Sequence, residues 1–583
     1  MFADNRLARD SRAATGDKVR MAAREEFDVV VVGAGAGGLA AATFAALEGA
    51  RTLLIESTEY VGGTTAYSAG TTWVPNTRLA RTVQADDSRA RVLGYLDRAV
   101  GNRSPRAMRE AFVDNGPRAI HRLMDDTVAQ FRARPHHPDY LYELEGSTAK
   151  GRALEPVPFR ASALGRDLAL IRPAIPEFTI LGGLQVDRDD INHLLSMGKS
   201  ARSLRHAMGL IGTYLVDRVR FGRSARLVMG NALVGRLLLA ARQAGAEVRV
   251  NTRVTGLAPR GSGQVLTLAD GTEIEARGGV ILATGGFARH PQRRAEMLPA
   301  PLAPHSPAAP GHTGAMHDLV LAQGAHYGEG AASNVFWAPV STRQRADGSW
   351  AVFPHFVFDR SKPGIIAVNK AGARFTNEAR SYHEFALAQY ATGTIPAYLV
   401  TDAAGLQAYG LGLVRPGARG AKALIADGYL KTAPSLRALA ERLGIDPAGL
   451  EATVERFNRF AETGTDADFH RGETVYERAN GDATHGPNPT LGSIGTGPFY
   501  AVELTPGDIG AATGLACDER ARLVDRQGRA IDGLYACGND MQSIMGGVYP
   551  GPGITIGPAI TFGYIAALDA AARARGDSAE RAA

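Results

Sequence analysis

Residues Phe27–Gly38 read FDVVVVGAGAGG, and this stretch decides the fold. Phe27 to Val32 is a largely β-branched apolar run broken only by Asp28, the pattern of a central parallel strand buried on both faces. Gly33, Gly35 and Gly38 follow as G-x-G-x-x-G. The first glycine permits a sharp turn, the second lets the backbone approach a pyrophosphate, and the third lets the helix beginning near Ala36 pack on the strand. A second strand is expected over Thr52–Ile55. It ends at Glu56, about twenty residues beyond the glycines, where an acidic side chain accepts hydrogen bonds from an adenosine ribose. Strand, glycine turn, helix, strand and terminal acid, in that order, predict a dinucleotide-binding βαβ unit.

Working outward, the far end of the chain carries Gly546–Tyr564, GGVYPGPGITIGPAITFGY. It sets a tyrosine hydroxyl and a run of backbone amides on one tight turn, a grip suited to a ketone oxygen. The chain has 583 residues, 45% of them hydrophobic, 21% charged and 69 of them glycine. That is the composition of a soluble globular protein with more than one domain. A net charge of +6 over this length carries no long Lys/Arg block and does not imply nucleic acid. Two cysteines, Cys517 and Cys537, leave no ligand set for an iron–sulfur cluster or structural zinc and no disulfide framework, so a reducing, cytoplasmic setting is expected. His312, His317 and the pair His136-His137 lack metal-site spacing and read as solvated or hydrogen-bonded histidines, and no metal is expected. Residues 1–26 mix basic and acidic side chains without a secretory apolar stretch and read as a flexible tail, with Met21 an alternative start.

Gly62–Gly70 (GGTTAYSAG), directly after Glu56, resembles the segment beneath the flavin in succinate dehydrogenase/fumarate reductase-type flavoproteins. Asn251–Val254, Gly279–Phe287 (GVILATGGF) and Gly533–Asn539 (GLYACGN) resemble further flavin landmarks of that superfamily. The resemblance implies FAD, held by Gly33, Gly35, Ala36, Gly37, Gly38, Glu56, Ser57, Gly63, Thr64, Thr65, Ser68, Ala69, Gly70, Val254, Ala283, Thr284, Gly285, Gly538, Asn539, Gly553, Thr555 and Ile556. It is expected to be non-covalent, because GGTTAYSAG has no histidine for attachment. The fold class expected is α/β, with a Rossmann-like FAD-binding domain split over residues 27–304 and 495–583. An α+β cap, the catalytic domain, is inserted at 305–494. It is expected to contain an extended segment at Gly364–Asn369 and helices at Ser435–Leu443 and Asp446–Glu462.

A narrower resemblance rests on Gly62–Gly70 with Trp73 and Pro75, Pro138-Asp139-Tyr140, Arg374-Phe375-Thr376-Asn377-Glu378 with Tyr382, and Tyr549-Pro550-Gly551-Pro552-Gly553. Together these are similar to 3-ketosteroid Δ1-dehydrogenases over roughly residues 27–575. The resemblance implies that Tyr549 and the Gly553 N–H hold the substrate ketone, that Tyr382 takes the C2 proton, and that Tyr140 assists it, with Tyr142 a neighbouring candidate. Hydride would pass from C1 to flavin N5, creating the C1=C2 bond. The physics fits these roles, since donors aimed at a developing enolate oxygen stabilise the transition state, and a tyrosine serves as a base only where its phenolate is favoured. The substrate implied is a steroid ketone and the second partner an external electron acceptor, a quinone or carrier, as no second nucleotide fingerprint follows a strand.

Sister activities remain open: a 3-ketosteroid Δ4-(5α)-dehydrogenase, a cyclohexanone-type desaturase, a fumarate reductase-like enzyme, or a steroid-binding flavoprotein without turnover. The stretch from about Ile180 to Arg226 reads as an insertion. In it Leu204, Met208, Ile211, Leu215 and Val219 recur at helical spacing among Arg202, Arg205, Arg218, Arg220, Arg223 and Arg226. Either this helix packs its apolar stripe on its own domain, or it rests on an anionic membrane surface beside the route taken by the substrate.

Overall fold

The structure, a computed structural model, describes residues 24–302, 305–357 and 359–576; the expected N-terminal tail lies almost entirely outside them. The βαβ unit forms around the quoted stretch. The strand Arg24–Val32 pairs in parallel with Thr52–Ile55 on one side and Glu273–Leu282 on the other. It starts three residues earlier than the apolar run, because its polar end is held by ion pairs of Arg24 with Glu273 and of Glu25 with Arg249. Glu247–Arg249 extends the parallel set beyond Thr52–Ile55.

The strand Glu273–Leu282 changes partners along its length. Its first half pairs antiparallel with Gly263–Leu268, and Val280–Leu282 pair in parallel with Leu534–Ala536. This second pairing returns the C-terminal segment to the N-terminal sheet, so the dinucleotide-binding domain is α/β and discontinuous in sequence. Helices Ala36–Leu47 and Ile556–Ala574 pack together on the sheet and bury continuous small-residue faces. The Gly38 position carries that packing: a Cβ there would stand 1.8 Å from the Gly33 carbonyl oxygen.

A second, antiparallel sheet runs in the order Trp350–Pro354, Val335–Gln344, Phe499–Ala511, Ala397–Thr401, Ile365–Val368, with Lys431–Ala433 also on Phe499–Ala511. With its helices it forms the α+β cap. Phe499–Ala511 is a full member of this sheet although it lies beyond the boundary expected near residue 495; we propose that the cap extends to about this strand's end. Helices Leu436–Leu443 and Pro447–Thr463 begin one residue later than expected, since Ser435 and Asp446 are their caps and accept from Ala438 N and Ala448 N.

Between residues 179 and 221 lie a two-stranded hairpin, Thr179–Ile180 with Leu184–Gln185, and helices Arg188–Leu195 and Ala201–Phe221. The long helix buries Ser203, Ala207, Leu210, Tyr214 and Asp217, with Asp217 paired to Arg160. The stripe singled out in the sequence mostly faces outward: Leu204 is 48% exposed, Met208 61%, Leu215 57% and Val219 92%. Of this stripe, Ile211 is the member that packs on the protein, against the cluster of Leu184, Val186, Leu210 and Tyr214.

Gly38→Ala should cost about 1–3 kcal/mol by overpacking a backbone contact that has no room to give, seen as a lower melting temperature and reduced flavin content on purification. A variant of unchanged stability would show that the helix does not approach the strand this closely.

Candidate active site

One cavity of about 2070 Å³ runs from the glycine turn to the cap. Its size exceeds that of a usual single-ligand pocket, about 300–1,000 Å³, and leaves room for two ligands. All the cofactor residues read from the sequence line it except Gly38, which packs beneath. The first end is built for an anion. The N-terminus of helix Ala36–Leu47 opens there with no cap from its own N-cap residue and no acidic residue in its first turn; Ala36 N donates to Thr65 Oγ1 at 3.3 Å, and the helix end still favours an anion. A Cβ on Gly35 would meet no protein atom within 4 Å. Glu56 ends its strand beside this turn, accepting from Ala34 N at 3.1 Å and Thr58 N at 2.9 Å, and its carboxylate has further lone pairs for a ribose hydroxyl.

The two halves of the cofactor wall are joined by Asp540, which sequence reading missed. Its buried carboxylate accepts from the backbone N–H of Thr284, from the Thr284 hydroxyl at 2.8–2.9 Å, from Gly286 N at 2.7 Å and from His317 Nε2 at 2.9 Å. Burial raises its pKa, and the hydrogen bonds from His317 and Thr284 outweigh that, so the carboxyl sits below its usual range. His317 is a hydrogen-bonded histidine, its other ring nitrogen on the Tyr327 hydroxyl at 2.9 Å. His312 lies over the Gly63–Gly285 side of the wall, with Nε2 3.2 Å from Thr64 Oγ1 and Nδ1 buried without a partner.

At the cap end, three tyrosines from remote parts of the chain converge. Tyr140 and Tyr549 stack with centroids 5.6 Å apart, Tyr382 meets Tyr549 edge-on at 5.0 Å, and the Tyr140 hydroxyl is directed at that of Tyr382 at 3.5 Å. Tyr140, not Tyr142, makes this contact. Tyr382 is the first residue of helix Tyr382–Ala391, capped by Ser381. The next residue, His383, docks that helix: its Nδ1 accepts from Trp337 N at 3.1 Å and its Nε2 donates to the Gly547 carbonyl at 3.1 Å. Gly553 has φ +92° and a Cβ there would lie 2.2 Å from the Thr71 carbonyl. Its N–H donates to no acceptor among the described residues.

Three aromatic neighbours were not foreseen. Tyr476 packs on Tyr140 at 4.9 Å with its hydroxyl unpartnered, Phe356 meets Tyr382 at 4.9 Å, and Phe336 meets Tyr549 at 5.2 Å. Burial pushes Tyr549 up to about 12 and raises Tyr140 and Tyr382 as well, Tyr382 further through its two tyrosine neighbours. One buried cation opposes this. Arg360 donates only to carbonyl oxygens, those of His355, Phe356, Glu378 and Arg380, and its charge lowers Tyr140 and Tyr476.

Asp540→Asn should lower stability by about 2 kcal/mol, the worth of a charge-assisted hydrogen bond, because an amide NH₂ would face the N–H donors of Thr284 and Gly286. Thermal unfolding at neutral pH measures this, and an unchanged melting temperature would remove Asp540 as the link between the two halves.

The chain is similar to known proteins along nearly its whole length. The family model described as FAD binding domain matches residues 28–556. A 3-oxosteroid 1-dehydrogenase of Mycolicibacterium smegmatis is 36% identical over 94% of this chain and 98% of that one. A 4-oxocyclohex-2-ene-1-carboxylate 5-dehydrogenase of Sinomonas cyclohexanicum is 35% identical over 93% of each. Among solved structures, 3-ketosteroid delta1-dehydrogenase from Sterolibacterium denitrificans, in complex with 1,4-androstadiene-3,17-dione, superposes with a TM-score of 0.86. It is 32% identical over 94% of this chain and all of that one. The chain belongs to the 3-oxosteroid 1-dehydrogenase family, FAD-dependent oxidoreductases acting on CH–CH groups.

Proposed function

We propose that this protein introduces a C1=C2 double bond into a 3-ketosteroid and passes the electrons to an external acceptor, a quinone or carrier. The observation that carries the reading is the convergence of Tyr140, Tyr382 and Tyr549 beside the free N–H of Gly553 on one cavity wall. Tyr549 and Gly553 donate to the ketone and hold the charge that reaches its oxygen as the C2 proton leaves. Tyr382 accepts that proton. Bound FAD supplies the two-electron sink that takes hydride from C1.

Tyr382 needs help to act as a base, since burial favours its neutral form. Its place at a helix N-terminus favours negative charge. The Tyr140 hydroxyl stands ready to donate to it, and Arg360 supplies positive charge behind Tyr140. The 3.5 Å hydroxyl separation is of the loose kind that tightens when substrate binds. A second reading, a desaturase of a monocyclic ketone, is favoured by the Sinomonas relative, whose name specifies such a substrate.

The helix Ala201–Phe221 suits an anionic membrane surface. Leu204, Met208, Leu215 and Val219 face outward among Arg202, Arg205, Arg218 and Arg220, all exposed, whereas Arg223 and Arg226 are tied to the Ile171 carbonyl and Asp190. Leu181, Ile191, Leu195 and Met197, exposed as well, line the cavity on this side. A lipid-soluble ketone would then reach the cavity from the bilayer.

Anaerobic mixing with androst-4-ene-3,17-dione should bleach the flavin and yield a product two hydrogens lighter. Tyr382→Phe should lose this by a factor of about 10² or more, and bleaching only by a cyclohexanone would favour the second reading. Because burial raises Tyr382, its phenolate is a minor form at neutral pH and grows tenfold per pH unit. The rate constant kcat/KM should therefore climb from pH 7 toward pH 10 without a plateau. The same shifts leave the fold at full strength below about pH 10 and weaken it above, where unfolded tyrosines ionise first. A plateau reached below pH 8 would exclude Tyr382 as the titrating base. On anionic liposomes the protein should co-sediment, and reversal of Arg202, Arg205, Arg218 and Arg220 to Glu should release it; equal, negligible binding by both removes the membrane contact.

A further inference from the structure

The cavity carries basic side chains that the desaturation does not use. Arg134, His136 and His137 precede Tyr140, Arg188 opens the helix Arg188–Leu195, and Lys362 follows the segment that bears Phe356; all five line the cavity. The carboxylates on the same walls are already taken. Glu155 is paired with Arg132 and Arg134, Glu177 with Arg345 and Asp359 with His355, and Asp187 caps its helix.

Arg188, by contrast, makes no hydrogen bond or ion pair among the described residues. His137 Nδ1 is buried without a partner, and Lys362 Nζ donates to one acceptor, the Gly481 carbonyl, at 2.6 Å. These groups feel one another. Burial, then Arg188, Arg134 and His136, press His137 down to about 3, and burial with Arg188 lowers Lys362 against the opposing pull of Asp482. Arg188 is exposed and Lys362 half-buried, with only the more distant Glu155, Asp189, Asp482 and Asp359 opposing their charge, and basic groups that face one cavity in this way attract an anion.

We propose that Arg188, Lys362 and His137 form a subsite for a carboxylate carried by the substrate away from its ketone. The preferred substrate is then a 3-ketosteroid with an anionic side chain at C17. This rests on the desaturase reading above, and it adds a second fixed point to the ketone clamp, so that a long rigid molecule is held at both ends.

The test compares 3-oxochol-4-en-24-oic acid with its methyl ester, which differ in charge and not in skeleton, on the FAD-loaded enzyme. The expected ratio of kcat/KM, acid over ester, is about tenfold or more in the wild type, as a charge-assisted contact provides. It should fall to near one in the double variant Arg188→Gln, Lys362→Met. In the wild type, raising salt to about 0.5 M should erode the acid's advantage while leaving the ester's KM in place, an arm that needs no variant to fold. A wild-type ratio near one, or a ratio the double variant retains, overturns the subsite. Equilibrium dialysis of both compounds against the holoenzyme separates this proposal from the one beneath it. Tighter binding of the acid without flavin bleaching by either keeps the subsite and removes the desaturase reading; equal binding removes the subsite.

Discussion

The buried carboxylate of Asp540 is the constraint on which the cofactor wall depends. Parallel pairing of Val280–Leu282 with Leu534–Ala536 brings two segments together that lie some 250 residues apart in the chain, but strands alone do not fix the turns that follow them. Those turns are Thr284–Gly286 and Gly538–Asp540, and Asp540 ties them by accepting every hydrogen that Thr284 and Gly286 point inward. His317 closes the set from a third segment. A charge in this position would be prohibitive unpaired, and four donors make it a clamp instead.

At the cap end the comparable device is neutral. His383 bridges Trp337 and Gly547 through two backbone contacts, one accepted and one donated, which sets its tautomer with hydrogen on Nε2. Burial holds its pKa down at about 4, so this bridge keeps its pattern across the whole physiological range. Since Tyr382 precedes it and Gly547 lies two residues before Tyr549, the same imidazole sets the proposed base against the proposed ketone clamp. Arg360 completes the arrangement from behind. Its partners are all carbonyls, so its hydrogen bonds are satisfied while its charge is not cancelled by direct contact with a carboxylate.

What the sequence made legible was local in origin. Gly33, Gly35, Gly38 and Glu56 announce themselves by spacing, because the turn chemistry that needs them acts over a few residues. Tyr549 and Gly553 do so by the density of Gly and Pro around them. Tyr476 could not be read this way, since it stands in an ordinary helical segment, VYERAN, and acquires its place only by packing on Tyr140. Asp540, following the glycine of a short turn, looked like any loop aspartate. The helix Ala201–Phe221 shows the limit of periodicity most plainly. It has two stripes at helical spacing, and the one through Ala207, Leu210 and Tyr214 goes inward although the one through Leu204, Met208 and Leu215 is more apolar. Periodicity identifies an apolar face; it does not say whether protein or another apolar phase covers it.

That choice has a chemical logic when the hairpin and two helices between residues 179 and 221 are taken together. Leu181, Ile191, Leu195 and Met197 give the cavity an apolar side, and Arg188, within the same short helix as Ile191 and Leu195, sets an unpaired cation on it. An apolar route that ends at a positive charge discriminates against both a plain hydrocarbon, which gains nothing from Arg188, and a small polar acid, which gains nothing from the leucines. An amphiphile with a ring system and a terminal carboxylate gains from both. Selectivity of this kind needs no close fit to the rings, so the segment that serves as the proposed membrane contact can also select the substrate while the tyrosine cluster is left to the chemistry alone.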